Sequence, residues 1–541
     1  MPLYLGFDSS TQGLTGIVVE IAGSERRVVL QRSLNFDADF PQYGTRSGVL
    51  PRPDPLVATS SPLLWAEALD RFMGILARDS TLDLTQLRAV SGAAQQHGSV
   101  YLNGAAAAGL ARLDPQGPLA GQVRPMLSRA DAPIWMDAST TAQCAAIAGA
   151  VGGNEVLARL TGSRAFERFT GPQIRKYHEE DPSGYAATDR IHLVSSFLAS
   201  LLIGAHAPIE PGDGAGMNLM DLKARRWSEV AVRATAPGLD RKLPALAPSW
   251  SVIGRLSRYW VERYGLPPAN VIAWSGDNPS SLIGVGLVTA GRIAISLGTS
   301  DTLFGLLRAP RVDASGASHV FGAPTGDYMA LVCFKNGSLA RERVRDAYGL
   351  DWDGFSRRLR ETPPGNRGAI MLPWFEPEAT PPVLTPGVRR YGLDAGDASV
   401  NVRAVIEAQM MATALHAGWM GERVVAIHAT GGAARNRDIL QVMADVHGTE
   451  VQQLAVGESA ALGAALRAFH GDQLAQGREI GWEEVVAGFV EPVARVRPDP
   501  RSVAVYAELK HVYAACEAHA LGRGPDPTPL VQAFRSARGP A

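Results

Sequence analysis

The chain is expected to fold as an α/β protein of two related domains that face each other across a cleft. Three observations predict this. Short apolar strands alternate with amphipathic helices, the pattern of α/β architecture. The strand–turn–strand unit "YLGFDSSTQGLTGIVVE" opens the chain, and "RIAISLGTSDTLFGLLR" repeats its design in the second half. The 541 residues are enough for two to four domains of roughly 100–200 residues and a large buried core.

Taken in order, Tyr4 to Phe7 is a short apolar strand, Gly13 supplies a permissive turn, and Gly16 to Glu20 alternates again. Residues 26–35 read as a third strand, and Pro and Gly crowd 41–55 into a loop. "SPLLWAEALDRFMGILAR" has helical spacing, with Ser61 as N-cap and Pro62 at the first helical position. "LRAVSGAAQQHGSVYL" reads as strand, loop, strand, and the Ala-, Gly- and Pro-rich 104–125 as an irregular insertion. Residues 239–271 bridge the halves. "EPEATPPVLTPG" is a surface loop, and the tail from about Leu521 has the composition of a partly disordered segment.

Composition narrows the function classes. The chain is 46% apolar and 19% charged, as ordinary globular proteins are. Its 52 Lys and Arg against 53 Asp and Glu leave a net charge of -1, giving no long-range field for nucleic acid or an anionic membrane. No apolar run is long enough to span a membrane, and Asp8 interrupts the N-terminal stretch before it can read as a secretory signal. The three cysteines, Cys144, Cys333 and Cys516, form no C-x-x-C pair. That suits a reducing cytosol better than a disulfide framework or a zinc site.

Four stretches could carry chemistry. In the opening turn, Ser9, Ser10 and Thr11 offer hydroxyls and successive backbone N–H groups that can cradle phosphate. Asp8 at the strand end can hold water around Mg²⁺. A plain hairpin whose Asp and Ser side chains cap their own backbone fits the same residues. Gly298, Thr299 and Ser300 in "SLGTSD" repeat the donor set, and two facing turns could clamp a nucleoside triphosphate without a Walker-type loop. In "HATGGAARNRDILQVMADVHG", Gly431 and Gly432 form a turn free of side chains, Asn436 can cap the next helix, and Gly448 can end it. Such a surface would admit a base or ribose; a simple turn before a helix is the other reading. In "WSGDNPSSL", Asn278 can be an N-cap and Pro279 the first helical residue. Asp277 then sits ahead of a helix N-terminus, whose dipole favours an ionised carboxylate, a fit general base for a substrate hydroxyl. Gly463 in a small-residue helix allows a close neighbour. His97, Arg168 and Trp352 are the remaining candidates, two for a polar ligand and one for stacking, against ordinary structural roles.

Taken together, the N-terminal phosphate turn, "GDNP", "SLGTSD" and "ATGG", in this order, resemble the FGGY carbohydrate kinases, members of the actin-, hexokinase- and Hsp70-like ATPase superfamily. "GAAQQHGSVY", "WMDASTTAQC", "GSRAFERFTGPQI", "HLVSSFLASLL" and "CFKNGSLARE" extend the resemblance over about residues 1–515. It implies two ribonuclease-H-like domains, residues 1–270 and 271–515, followed by a tail, 516–541. It implies ATP and Mg²⁺ as cofactors and a ketopentose, D-xylulose, as the sugar. It further implies Asp277 as the base, with His97, Arg168 and Asn278 holding the other sugar hydroxyls. Ser9, Ser10, Thr11, Gly298, Thr299 and Ser300 would then contact phosphate, and Asp8 would position hydrated Mg²⁺. Gly431, Gly432, Asn436 and Trp352 would line the adenosine. Many members carry W-x-D-x-R where this chain has Ser139, a departure that disfavours a glycerol or ribulose kinase. Another sugar or polyol kinase of the family, including a gluconate type, and a non-catalytic nucleotide-binding paralogue are the alternatives. A monomer and a homodimer both remain open, and a cytoplasmic location is expected.

Overall fold

Residues 1–455 and 457–537 are described by a computed structural model. Strand β1 (Leu3–Ser9) reverses through residues 10–12 into β2 (Gly13–Ala22), which pairs in turn with β3 (Glu25–Asn35). Helix α1 (Pro62–Ala77) starts where expected: the Ser61 side chain accepts from the Leu63 N–H, and Pro62 occupies the first turn, where no intrahelical N–H is needed. Its Trp65, Leu69 and Phe72 are fully buried, each burial contributing roughly 1.5–3 kcal/mol. Strand β4 (Leu87–Ala94) then enters beside β1 in parallel.

The first sheet continues beyond the expected domain border. Strands β5 (Val252–Arg255), β6 (Asn270–Ile272) and β7 (Ser275–Gly276) complete it, giving the order β5–β6–β4–β1–β2–β3 with β7 also on β4. A border between 270 and 271 would cut β6, whose Asn270 and Val271 pair with Ala89 and Val90. Helix α2 (Asp277–Gly284) follows.

The second sheet comprises β8 (Arg292–Leu297), β9 (Asp301–Leu307), β10 (His319–Gly322), β11 (Tyr328–Phe334), β12 (Ala426–Thr430), β13 (Val451–Leu454) and β14 (Pro492–Val496). Its order is β10–β11–β9–β8–β12–β13–β14. An antiparallel three-strand meander, two parallel strands and a closing antiparallel strand occur in both sheets, with β10 added at one edge of the second. The echo in sequence is thus a repeated domain.

Helix α3 (Arg437–His447) is capped by Asn436 and ended by Gly448 in the left-handed conformation, both as expected. Helix α4 (Ser459–Ala475) crosses back to cover the first sheet: Tyr4, Val19 and Ile272 share a core with Ala461, Leu466 and Phe469. Two expectations are corrected. The 104–125 segment contains helices Ala106–Ala111 and Leu119–Val123, which bury Leu110, Leu119 and Val123. The tail is not disordered through 537: α5 (Pro500–Ala520) runs across the proposed 515/516 border, and α6 (Thr528–Ala537) buries Val531 and Phe534. Residues 538–541 lie outside the described part.

Candidate active site

The cleft site is assembled from turns at strand ends and from helix N-termini. Ser10 Oγ donates to the Gly13 carbonyl at 3.2 Å and holds the β1–β2 turn closed. Thr11 Oγ1 receives the Trp135 indole N–H at 2.8 Å. Ser9 Oγ and Asp8 Oδ1 are buried with no protein partner. On the matching turn of the second sheet, Thr299 and Ser300 are exposed between β8 and β9. That turn is braced from below: buried Arg341 grips Asp301 with two hydrogen bonds of 2.8 and 2.9 Å and reaches the Gly298 carbonyl at 3.3 Å.

Asp277 is held by its neighbours. Its Oδ1 accepts from the Asn278 backbone N–H at 2.8 Å and from Asn278 Nδ2 at 3.0 Å, and the carboxylate also accepts the Gln96 backbone N–H. Gln96 Oε1 in turn accepts from Asn278 Nδ2 at 3.0 Å. The helix begins two residues earlier than expected: Gly276 rather than Asn278 is the N-cap, and Asp277 rather than Pro279 opens the first turn. Burial pushes Asp277 up to about 6, against the lowering effect of these hydrogen bonds. A pKa near 6 still leaves the carboxylate ionised at neutral pH, and it is a stronger base than an ordinary Asp.

Asp8 is pushed further, to about 8, first by burial and then by the charges of Asp277 and Glu458. A cation among these groups would relieve that repulsion, and the unpartnered Asp8 Oδ1 is a free oxygen for a water or a metal. Among the described residues no set of three or more His, Cys, Asp or Glu forms a metal cage. This fits Mg²⁺, which keeps several waters and binds through one or two carboxylates plus phosphate.

His97 sits in the loop after β4 with φ +73, a conformation uncommon outside glycine. Its ring lies 4.4 Å from the Phe169 ring, and Nδ1 meets the Gly216 carbonyl at 2.9 Å. A carbonyl can only accept, so Nδ1 carries the proton and Nε2 is left as an acceptor. Burial drives His97 down to about 3, keeping it neutral. Arg168 stacks over Phe166 at 5.2 Å and donates from Nη2 to His319 Nε2 at 2.8 Å. Among the described residues no carboxylate lies within ion-pair distance of it.

Beside the Gly298–Ser300 turn, whose Gly298 carbonyl accepts the Ser338 N–H at 2.9 Å, a cavity of about 690 Å³ is lined by Ser338, Trp352, Ser356, Arg360, Gly432 and Asn436. Gly431 has φ +86, and a Cβ there would lie 2.6 Å from the Leu297 carbonyl, so the turn requires glycine. A Cβ at Gly432 would meet nothing within 4 Å, leaving bare backbone toward the cavity. Trp352 is 41% exposed rather than in the core, with Arg345 4.5 Å above its ring. Asn436 is occupied at both ends, accepting from the Asp438 and Ile439 N–H groups and donating to Ser356 Oγ at 2.6 Å.

The structure therefore groups Asp8 with Asp277, Asp277 with Asn278, and Trp352 with Gly432 and Asn436. Sequence reasoning missed Gln96, Glu458, Trp135, His319 and Asp213. Asp213 is fully buried, with Oδ1 unpartnered and Ser195 donating to Oδ2. Two of these had a signal: Gln96 its place beside His97, and Trp135 its place in "WMDAS". Ser139 donates to Asp137 at 2.6 Å and accepts from Lys176 Nζ at 2.7 Å, so a cation does approach this position, supplied by another helix.

The models of the N- and C-terminal domains of the FGGY family of carbohydrate kinases match residues 127–284 and 293–471. The chain is 44% identical to "Xylulose kinase" of Mus musculus over 535 residues, 97% of this chain and 95% of the relative. It is 43% identical to "Xylulose kinase 2" of Arabidopsis thaliana, covering 87% of each. Among solved structures, a xylulose kinase from Lactobacillus acidophilus aligns with TM-score 0.80 at 19% identity, over 96% of this chain and 99% of that one. Plasmodium falciparum glycerol kinase aligns at 0.74 and 16%, over 96% and 98%. The chain belongs to the FGGY family of carbohydrate kinases.

Proposed function

We propose that this protein transfers the γ-phosphoryl group of ATP to the terminal hydroxyl of D-xylulose, giving D-xylulose 5-phosphate and ADP. The observation that carries the reading is the setting of Asp277: a carboxyl held by Gln96 and Asn278, in a site whose other polar groups, His97 and Arg168, suit sugar hydroxyls. The printed names of the relatives support the choice of sugar.

Asp277 accepts the proton of the terminal hydroxyl as the O–P bond forms and the bond to the β-phosphate oxygen breaks. His97 Nε2 accepts from one sugar hydroxyl, Arg168 donates to another oxygen, and Asn278, whose amide NH₂ is engaged by Gln96 and Asp277, accepts from a further hydroxyl at Oδ1. The Ser9–Thr11 and Gly298–Ser300 turns hold the phosphates by N–H and hydroxyl donors, and positioning dominates catalysis in such a loose transition state. Asp8 would hold hydrated Mg²⁺, which would supply charge neutralisation to the triphosphate. The adenosine lies along Gly431–Gly432 with Trp352 at its side and Asn436 shaping the wall. Closure of the two domains excludes water, which competes as acceptor. The three free cysteines suit action in the cytosol.

A coupled ADP-release assay across D-xylulose, D-ribulose, gluconate and glycerol tests this. D-Xylulose is expected to give the highest kcat/KM. A higher value with another acceptor would overturn the sugar assignment, and no release above the acceptor-free background would overturn the kinase reading.

A further inference from the structure

Strand β10 belongs by pairing to the second sheet, yet its free edge is built into the first domain. The Val320 N–H donates to the Gly162 carbonyl at 2.9 Å. A Cβ at Gly322 would lie 2.9 Å from the Pro211 carbonyl carbon, so the strand meets the Pro211–Ala215 helix backbone to backbone. At the head of this strand stands His319, 2% exposed. Its Nδ1 lies 3.1 Å from Ser163 Oγ and its Nε2 2.8 Å from Arg168 Nη2. A guanidinium can only donate, so Nε2 is the acceptor and the proton resides on Nδ1, directed at Ser163. The ring is caged by Phe166, Phe169 and Phe321, with centroids at 4.7, 5.3 and 5.8 Å.

We propose that His319 is the positioning residue that aims Arg168 at the sugar, so that an edge strand of the second domain completes the sugar site of the first. The inference rests on the reading of Arg168 as a sugar ligand. A carboxylate at this place would orient the guanidinium and also neutralise it. A neutral imidazole supplies one directed acceptor and leaves the positive charge available to electron-rich sugar oxygens. Burial beside Arg168 keeps the imidazole neutral and well below its ordinary range.

The test measures KM for sugar and for ATP in wild type, His319→Phe and His319→Gln, with thermal unfolding as the folding control. Phe keeps the ring and removes both polar contacts; Gln restores an acceptor near the position of Nε2. Losing one hydrogen bond to a charged group predicts a rise of about tenfold or more in sugar KM for His319→Phe, with ATP KM within about twofold. His319→Gln is expected to recover most of that loss. An unchanged sugar KM in His319→Phe, an equal rise in both KM values, or a His319→Gln as impaired as His319→Phe would overturn the inference. Should His319→Phe fail to fold, Ser163→Ala, which frees the imidazole to rotate, decides: sugar KM rises with ATP KM unmoved, or the inference falls. The comparison uses whichever sugar of the panel the wild-type chain phosphorylates, so loss of the D-xylulose assignment and loss of this inference are separate results.

Discussion

Asp277 is subject to two opposed influences, and their balance sets its chemistry. Hydrogen bonds from Asn278 and Gln96 favour the carboxylate, burial disfavours it, and burial prevails, leaving a group poised near 6. As a base it must be ionised, so activity is lost as pH falls. The kcat/KM for sugar should rise with pH along a single acid limb with its midpoint near 6, and a flat profile from pH 5 to 8 would contradict the assignment. Asp277→Ala should fold and bind ATP, measured by calorimetry, while turnover falls by several orders of magnitude; near-normal phosphorylation would remove Asp277 from the mechanism. Trp352→Ala should raise ATP KM by roughly 2–10-fold, the worth of one aromatic contact, and leave sugar KM unchanged. The residues legible beforehand lie in local motifs: Asp277 before Asn-Pro, the Gly431–Gly432 pair, the hydroxyl turns. Gln96 and His319 act through partners 182 and 151 positions away in sequence, and no local pattern marks such contacts.

At the scale of elements, the cleft depends on helices that approach closely. A Cβ at Gly463 of α4 would lie 1.9 Å from the Ser280 carbonyl of α2. Alanine there gains about 1 kcal/mol of helix propensity, but the clash is with backbone and cannot be relieved by a side-chain rotation. Gly463→Ala is therefore expected to destabilise by about 1–3 kcal/mol net, seen as a lower denaturation midpoint at unchanged m; a midpoint equal to or above wild type would refute the close approach. Element ends were legible where capping chemistry is local, as at Ser61, Asn436 and Gly448. The misplaced start of α2 has the same origin: Asn278 looks like a cap, but its amide is engaged by Asp277 and Gln96. The helices at 106–111 and 119–123 and the tail helix α6 were not legible because their Ala, Gly and Pro content resembles loop, and their order comes from Leu110, Leu119 and Phe534 finding buried sites.

At the scale of the molecule, two sheets of the same order carry one hydroxyl-rich turn each, and α2 joins their cores. Its Leu282 packs into the core of the second domain and its Ile283 into that shared by the first sheet and α4. This repeat was visible in sequence as two strand–turn–strand units, whereas the domain border was not, since β6 and β7 join the first sheet only through pairing with β4. A joint of this kind can transmit rotation of one domain against the other. Small-angle scattering should give a smaller radius of gyration with sugar and a nonhydrolysable ATP analogue together than with neither, and an unchanged radius would argue against closure. The most direct measurement is a crystal structure of that doubly liganded form. An Asp277 carboxylate oxygen is expected at hydrogen-bond distance, about 2.6–3.2 Å, from the terminal sugar hydroxyl, which in turn faces the γ-phosphorus. A carboxylate turned away, with a different group beside that hydroxyl, would contradict the account.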